Sequence, residues 1–263
     1  MSPHFPRKRF GQHFLRDSQI IEQLVAAIAP QPPQHLVEIG PGQLALTRPL
    51  LQCGCQLDVI ELDRDLVKLL EKQADSFKQL TIHQADVLKF NFTPLVKNQQ
   101  PLRIVGNLPY NISTGLLFYL LNYVNDIEDM TFMLQKEVVE RIVATPATSS
   151  YGRLSVMLQY HCRAYQLFDV EPTAFYPPPK VNSSVVQLIP HRSSPVTVLN
   201  QKHFAQLVAL AFSQRRKTLR NSLKSMLDVS AIQAAGVDPQ VRAETLTLTE
   251  FARLANEFSL TNW

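Results

Sequence analysis

The chain has 263 residues, 45% of them hydrophobic, with 26 basic and 22 acidic side chains for a net charge of +4. That length suits one large domain, or one large and one small, and no stretch approaches the roughly 20 consecutive apolar residues that a membrane span needs. The first ten residues carry charge without the apolar centre of a signal peptide. The three cysteines, Cys53, Cys55 and Cys162, make no metal-ligand spacing beyond an isolated C-x-C. Reduced thiols in a cytoplasmic monomer, with neither metal nor membrane partner, are expected.

The chain begins with a basic segment, Arg7-Lys8-Arg9 and then Arg16, that holds no acid. A helix is expected over 18–29, with Asp17 or Ser18 as its cap, ended by Pro30, Pro32 and Pro33. His35–Ile39 reads as a strand, and the glycine turn Gly40-Pro41-Gly42 opens a helix through about Cys53. A second strand, Gln56–Ile60, ends at Glu61, and a helix follows to about Gln73. A third strand, Leu80–His83, leads to Asp86. The apolar run 102–106 is a fourth strand ending at Asn107-Leu108-Pro109-Tyr110. Then come a helix over Thr114–Tyr123, a strand over Met130–Leu134 and a helix from Lys136 to Ala144.

This alternation predicts an α/β fold, a Rossmann-like parallel sheet with helices on both faces. Residues 151–162 read as a further helix. Gln166–Val170 and Ser183–Ile189 read as an antiparallel pair at the sheet edge, flanking Phe175-Tyr176-Pro177-Pro178-Pro179-Lys180-Val181. The linker candidate is His191–Pro195. Helices over His203–Phe212, Thr218–Leu227, Ser230–Ala235 and Leu248–Phe258 would form a small α-helical C-terminal domain. The expected division is a catalytic domain over 1–190 and a helical domain over 191–263.

A second acid-free basic run, Arg215, Arg216, Lys217, Arg220 and Lys224, falls in that C-terminal part. The two runs hold 9 of the 26 basic residues, which leaves 17 against 22 acids elsewhere, a net −5. Concentrated positive charge on a mildly acidic body fits a phosphate-backbone ligand. A solvated helix face is the alternative for either run taken alone.

Three strand ends carry groups suited to a nucleoside. Glycines at 40 and 42 let backbone approach a ligand near a helix N-terminus. Pro41 removes a donor that a pyrophosphate cradle would use. Glu61, 21 residues beyond Gly40, is placed to accept from ribose hydroxyls. Asp86 is placed to accept from an adenine amine. The set fits an adenosine ligand bearing positive charge, S-adenosylmethionine (SAM), better than NAD. At the fourth strand end, the Asn107 side-chain oxygen and a nearby carbonyl suit the two N–H donors of an exocyclic amine. Tyr110 adds a flat face for a base. A plain proline turn with an aromatic anchor is the alternative.

Arg7–Leu15, Glu38-Ile39-Gly40-Pro41-Gly42, Glu61-Leu62-Asp63, Asn107–Ser113, Phe175–Val181 and Ala211–Asn221, in this order, resemble the KsgA-type ribosomal RNA small-subunit adenine dimethylases. The resemblance covers nearly the whole chain. It implies a SAM-dependent methyltransferase sheet, and two methyl transfers to N6 of each of two adjacent adenosines in the 3′-terminal hairpin loop of 16S rRNA. The partner would be a 30S subunit or its precursor. It implies SAM contacts from His13, Leu15, Gly40, Glu61, Asp86 and Asn107. Position 13 is commonly Asn in that family, and His here. Asn107 and a carbonyl of Leu108 or Pro109 would hold the N6 hydrogens. Tyr110 and Phe175 would sandwich the extruded base, unless Phe175 is a core aromatic at a strand end. Arg7, Lys8, Arg9, Arg215, Arg216, Lys217, Arg220 and Lys224 would meet RNA phosphates. A 23S rRNA adenine dimethylase of the macrolide-resistance kind is the nearest other enzyme. A non-catalytic ribosome-assembly protein on the same fold is the alternative from another class.

Overall fold

The computed structural model describes residues 12–74, 77–96 and 100–261. Its elements in chain order are β1 (Phe14–Leu15), α1 (Ser18–Ile28), β2 (His35–Ile39), α2 (Thr47–Gln52), β3 (Gln56–Glu61), α3 (Arg64–Ala74), β4 (Leu80–Gln84), β5 (Leu102–Asn107) and α4 (Ser113–Leu120). They continue with β6 (Ile127–Gln135), α5 (Lys136–Val143), α6 (Arg153–His161), β7 (Cys162–Val170), β8 (Phe175–Tyr176), β9 (Ser183–Pro190), α7 (Gln201–Ala211), α8 (Leu219–Ser222), α9 (Val229–Ala234) and α10 (Leu248–Thr261). The main sheet has seven strands in the order β4-β3-β2-β5-β6-β9-β7. β2 through β6 pair in parallel, and β9 pairs antiparallel with β6. The parallel part follows from the helical crossovers. The antiparallel turn of β9 puts it and β7 at the edge, where the sequence expects them.

Strands buried on both faces favour apolar side chains; β2 is buried at every position, with His35 and Glu38 as its polar members. Leu36, Leu57, Val59 and Val105 join Leu24 and Ile28 of α1 and Leu70 of α3 in one core. Asp17 caps α1, accepting from the backbone N–H groups of Gln19 and Ile20. Buried polar side chains in the sheet find partners, apart from the Thr131 hydroxyl of β6, which has none among the described residues. Arg103 of β5 bonds Asp129 of β6 at 2.9 and 2.7 Å. Asp58 of β3 bonds His35 of β2 and His83 of β4. Burial pushes the Asp58 carboxyl up, but the two imidazoles outweigh it and hold it below the ordinary carboxylate range.

The chain divides into two compact units. One comprises residues through Val139 with Tyr165–Pro190; the other comprises Glu140–Ala164 with the residues from His191 onward. The second unit therefore takes in α6 as well as the segment beyond the expected boundary at 190/191. The reason is packing: α7 lies against both α6 and α10, with Leu154, Leu158, Phe204, Leu207, Phe251 and Leu254 buried. The helix expected over Thr218–Leu227 is a single turn, Leu219–Ser222. The N–H groups of Leu219 and Arg220 donate to the carbonyls of Val241 and Pro239, which fixes the segment by a long-range contact instead.

Candidate active site

The strand order reverses between β2 and β5, because β3 flanks β2 on one side and β5 on the other. Open α/β sheets bind ligands in the crevice at the carboxyl ends of such strands. A cavity of about 250 Å³ lies there, lined by His13–Leu15, the Ile39–Gln43 turn, Glu61, Ala85–Leu88 and Asn107–Ile112. All six SAM contacts expected from the sequence, His13, Leu15, Gly40, Glu61, Asp86 and Asn107, line it.

The glycine turn is conformationally demanding. Gly40 and Gly42 have φ of +70° and +54°, in the left-handed region. The Gly40 N–H donates to the Ile60 carbonyl at 3.0 Å, which joins the turn to β3. Gly106 lets β5 approach β2: a Cβ there would stand 2.5 Å from the Ile39 carbonyl oxygen.

Glu61 is buried and accepts from the Asp63 N–H at 2.8 Å. Burial pushes its carboxyl up, opposed by hydrogen bonds from the backbone at Asp63, Gly42 and Leu62. Asp86 accepts from the Leu88 N–H at 3.0 Å, which fixes the turn after β4. Glu38, on β2, opens the glycine motif but has no role assigned by the sequence. Its side chain is 2% exposed and accepts from the Thr47 hydroxyl at 2.7 Å. Burial pushes its carboxyl up to about 8, aided by the charge of Glu61 and opposed by Thr47.

The Asn107 side chain donates from Nδ2 to the His13 carbonyl at 3.0 Å. An amide nitrogen committed to a carbonyl leaves Oδ1 as the acceptor. Leu108 is buried, its N–H given to Met133 at 3.1 Å, and the Pro109 carbonyl accepts from Ile112 at 3.2 Å. The Tyr110 hydroxyl bonds the Ser183 hydroxyl at 2.7 Å. Its ring stacks on the His13 imidazole, centroids 5.6 Å apart. His13 in turn places Nδ1 2.7 Å from the Pro177 carbonyl. A carbonyl only accepts, so Nδ1 carries the proton.

Phe175 is placed otherwise than the sandwich requires. It pairs with Leu15 in the two-stranded β1–β8 ribbon, is 4% exposed, and packs in the core with Leu15, Ala174 and Val185. It is not among the residues lining the cavity. Its neighbour Tyr176 is the exposed aromatic, and sequence reasoning passed over it.

In the second unit, Arg215, Arg216, Lys217, Arg220 and Lys224 are all exposed. Arg215 bonds Glu244 at 3.0 Å and the Ser149 carbonyl, so it also braces its own unit. Arg216 and Arg242 line a hollow beside that brace. Arg7, Lys8 and Arg9 lie outside the described residues. Among the described residues, no group of His, Cys, Asp and Glu is placed to hold a metal ion, and no helix is long and apolar enough to cross a membrane.

A glycine turn and two acidic strand ends beside a cavity at the sheet's reversal point define a nucleoside-binding protein of the Rossmann-like class, and its family makes it a methyltransferase. The chain belongs to the ribosomal RNA adenine dimethylase family, whose profile matches residues 4–260. It is 54% identical over 256 residues to "Ribosomal RNA small subunit methyltransferase A" of Pseudomonas aeruginosa, covering 97% of this chain and 96% of that one. The protein of the same name from Hydrogenovibrio crunogenus is 52% identical over 259 residues, covering 97% of each. Two solved structures share the fold. A dimethyladenosine transferase from Plasmodium falciparum superposes with a TM-score of 0.81 at 24% identity, covering 94% of this chain and 98% of that one. The 23S rRNA methyltransferase ErmE superposes with a TM-score of 0.71 at 24% identity, covering 94% and 99%.

Proposed function

We propose that this chain dimethylates N6 of adenosines in small-subunit ribosomal RNA, with SAM as methyl donor. The targets are two adjacent adenosines of the 3′-terminal hairpin loop of 16S rRNA. The substrate is a 30S subunit or a precursor of it, met by a monomer in the cytoplasm. Full-length relatives above 50% identity, named as small-subunit methyltransferases, support this over a 23S target.

The observation that carries the chemistry is the fixed amide of Asn107. Adenine N6 is a poor nucleophile, because its lone pair is delocalised into the ring. With Nδ2 held by His13, Oδ1 accepts one N6 hydrogen. The Leu108 carbonyl accepts the other; the Pro109 carbonyl already serves Ile112. Two acceptors favour a tetrahedral nitrogen whose lone pair points into the cavity. SAM supplies an electrophilic methyl on a sulfonium. The methyl would pass to N6 as the donor sulfur leaves as a neutral thioether and the alkylated nitrogen gives its proton to solvent, and what the residues of the site contribute is mainly positioning. The nitrogen becomes acidic only after it is alkylated, so no strong base is needed before attack.

The cavity suits the donor. Glu61 would accept from the ribose hydroxyls of the donor, Asp86 would accept from its adenine amine, and the Gly40–Gly42 turn would hold its methionine part. Tyr110, pinned by Ser183 and His13, forms a wall for the extruded base. Arg215, Arg216, Lys217, Arg220 and Lys224, with Arg7, Lys8 and Arg9, meet RNA phosphates.

The test is incubation of unmethylated 30S subunits with labelled SAM, then mapping of the modified nucleotides. Label on two adjacent adenosines of the 16S hairpin is expected. Asn107→Ala should lower kcat about 100-fold or more, by analogy with removal of one preorganised polar group. Label on protein-free 23S rRNA in place of 30S subunits would overturn the assignment.

A further inference from the structure

One exposed feature of the first unit has no part in the chemistry above. Tyr176 is 49% exposed, although its strand partner Phe14 is buried and lines the cavity. The Arg16 guanidinium lies 4.2 Å from the centroid of the Tyr176 ring. Arg16 is itself exposed and has no carboxylate partner among the described residues. Pro178, Lys180 and Val181, on the same stretch, are exposed too, and Lys180 adds a second cation.

The pair is bare at its tip but fixed at its root. The Arg16 N–H donates to the Ala174 carbonyl at 2.8 Å. The register Phe14↔Tyr176 and Leu15↔Phe175 holds both strands, and Phe14, Leu15 and Phe175 are anchored in buried positions. A preplaced aromatic face beside exposed cations is the chemistry that binds unpaired nucleic-acid bases and their phosphates.

We propose that Tyr176 and Arg16 form a stacking platform for an unpaired nucleobase, the neighbour in the RNA strand of the adenosine that enters the cavity. This rests on the ribosomal RNA reading above. Extruding one base strips the next of a stacking partner. A platform one strand pair from cavity-lining Phe14 gives that neighbour a replacement surface. The Arg16 guanidinium extends the stack and offsets phosphate charge.

The test uses the full chain and unmethylated 30S subunits. Tyr176→Ala should raise KM for the subunit roughly 5- to 100-fold, the size expected for one base–aromatic stack, with SAM affinity unaltered. Tyr176→Leu keeps apolar area but has no π face, and should raise KM equally. A photo-crosslinking phenylalanine analogue at position 176 should attach to an rRNA nucleotide next to a methylated adenosine. A wild-type KM for Tyr176→Leu, or a crosslink to a ribosomal protein, overturns the platform. So does the absence of any rRNA crosslink in a sample that methylates normally. If the unaltered chain fails to methylate 30S subunits, the ribosomal reading itself fails, and the two outcomes are distinct.

Discussion

At Asn107 a single hydrogen bond sorts the two ends of one side chain: Nδ2 donates to the His13 carbonyl, and Oδ1 is left as the acceptor that the proposed transfer uses. Glu38 illustrates the opposite situation, a carboxyl kept from its ordinary charge. Its folded pKa of about 8 lies above the ordinary 4.5. The unfolded chain therefore releases this proton above about pH 4.5, while the folded chain keeps it until about pH 8. Folding binds the proton, so stability is greatest below that window, falls as pH rises through it, and is level above it. Glu38→Gln cannot ionise and still offers Thr47 an acceptor. Melting curves should coincide below the window, at about pH 4, and the variant should melt several degrees higher at about pH 8.5. Equal melting temperatures at the higher pH would show that folding does not raise the Glu38 pKa.

At the level of elements, the parallel strands and their turns were legible because each βα unit states itself locally. An apolar run, a glycine turn and an acidic strand end need no distant partner to be recognised. Phe175 was not legible in that way. Two adjacent aromatics point to opposite sides of a strand, and only the packing of Phe175 with Leu15, Ala174 and Val185 shows which goes inward. The close approach of β5 to β2 carries a direct test. Gly106→Ala puts a methyl 2.5 Å from the Ile39 carbonyl oxygen, and backbone cannot swing aside as a flexible side chain would. The expected cost is about 1–3 kcal/mol, read as a lower melting temperature, together with weaker SAM binding by calorimetry. Unchanged SAM affinity would mean that the cavity does not depend on that close approach.

Across the whole molecule, periodicity predicted a sheet domain and a helical one but misassigned α6. Its apolar positions are equally suited to a sheet face or a helix bundle, and only the packing against α7 settles the choice. Charge tells a second story at this scale. The five exposed cations from Arg215 to Lys224 sit on the second unit, whereas the cavity belongs wholly to the first. Binding and chemistry should therefore separate. Replacing Arg216, Lys217 and Lys224 together by Ala should weaken RNA binding across sequences. It should also flatten the dependence of log K on log salt by about 0.7–0.9 for each phosphate left without its cation, and leave SAM affinity alone. An unaltered salt slope would remove these three side chains from the RNA interface. Arg215 is left out of that set, because its bonds to Glu244 and Ser149 would confuse affinity with stability.

The group that turns Asn107 is a peptide carbonyl, and every amino acid at position 13 owns one. Chemistry delegated to the main chain is invisible to substitution. Mutational scanning at this position interrogates only the imidazole, its stack on Tyr110 and its bond to Pro177. The carbonyl would be disclosed by displacement instead: a single residue inserted between Leu15 and α1, slipping β1 along β8, would swing another peptide unit into its place. Residue identity at 13 can thus drift from one relative to the next while the amide of Asn107 keeps its orientation.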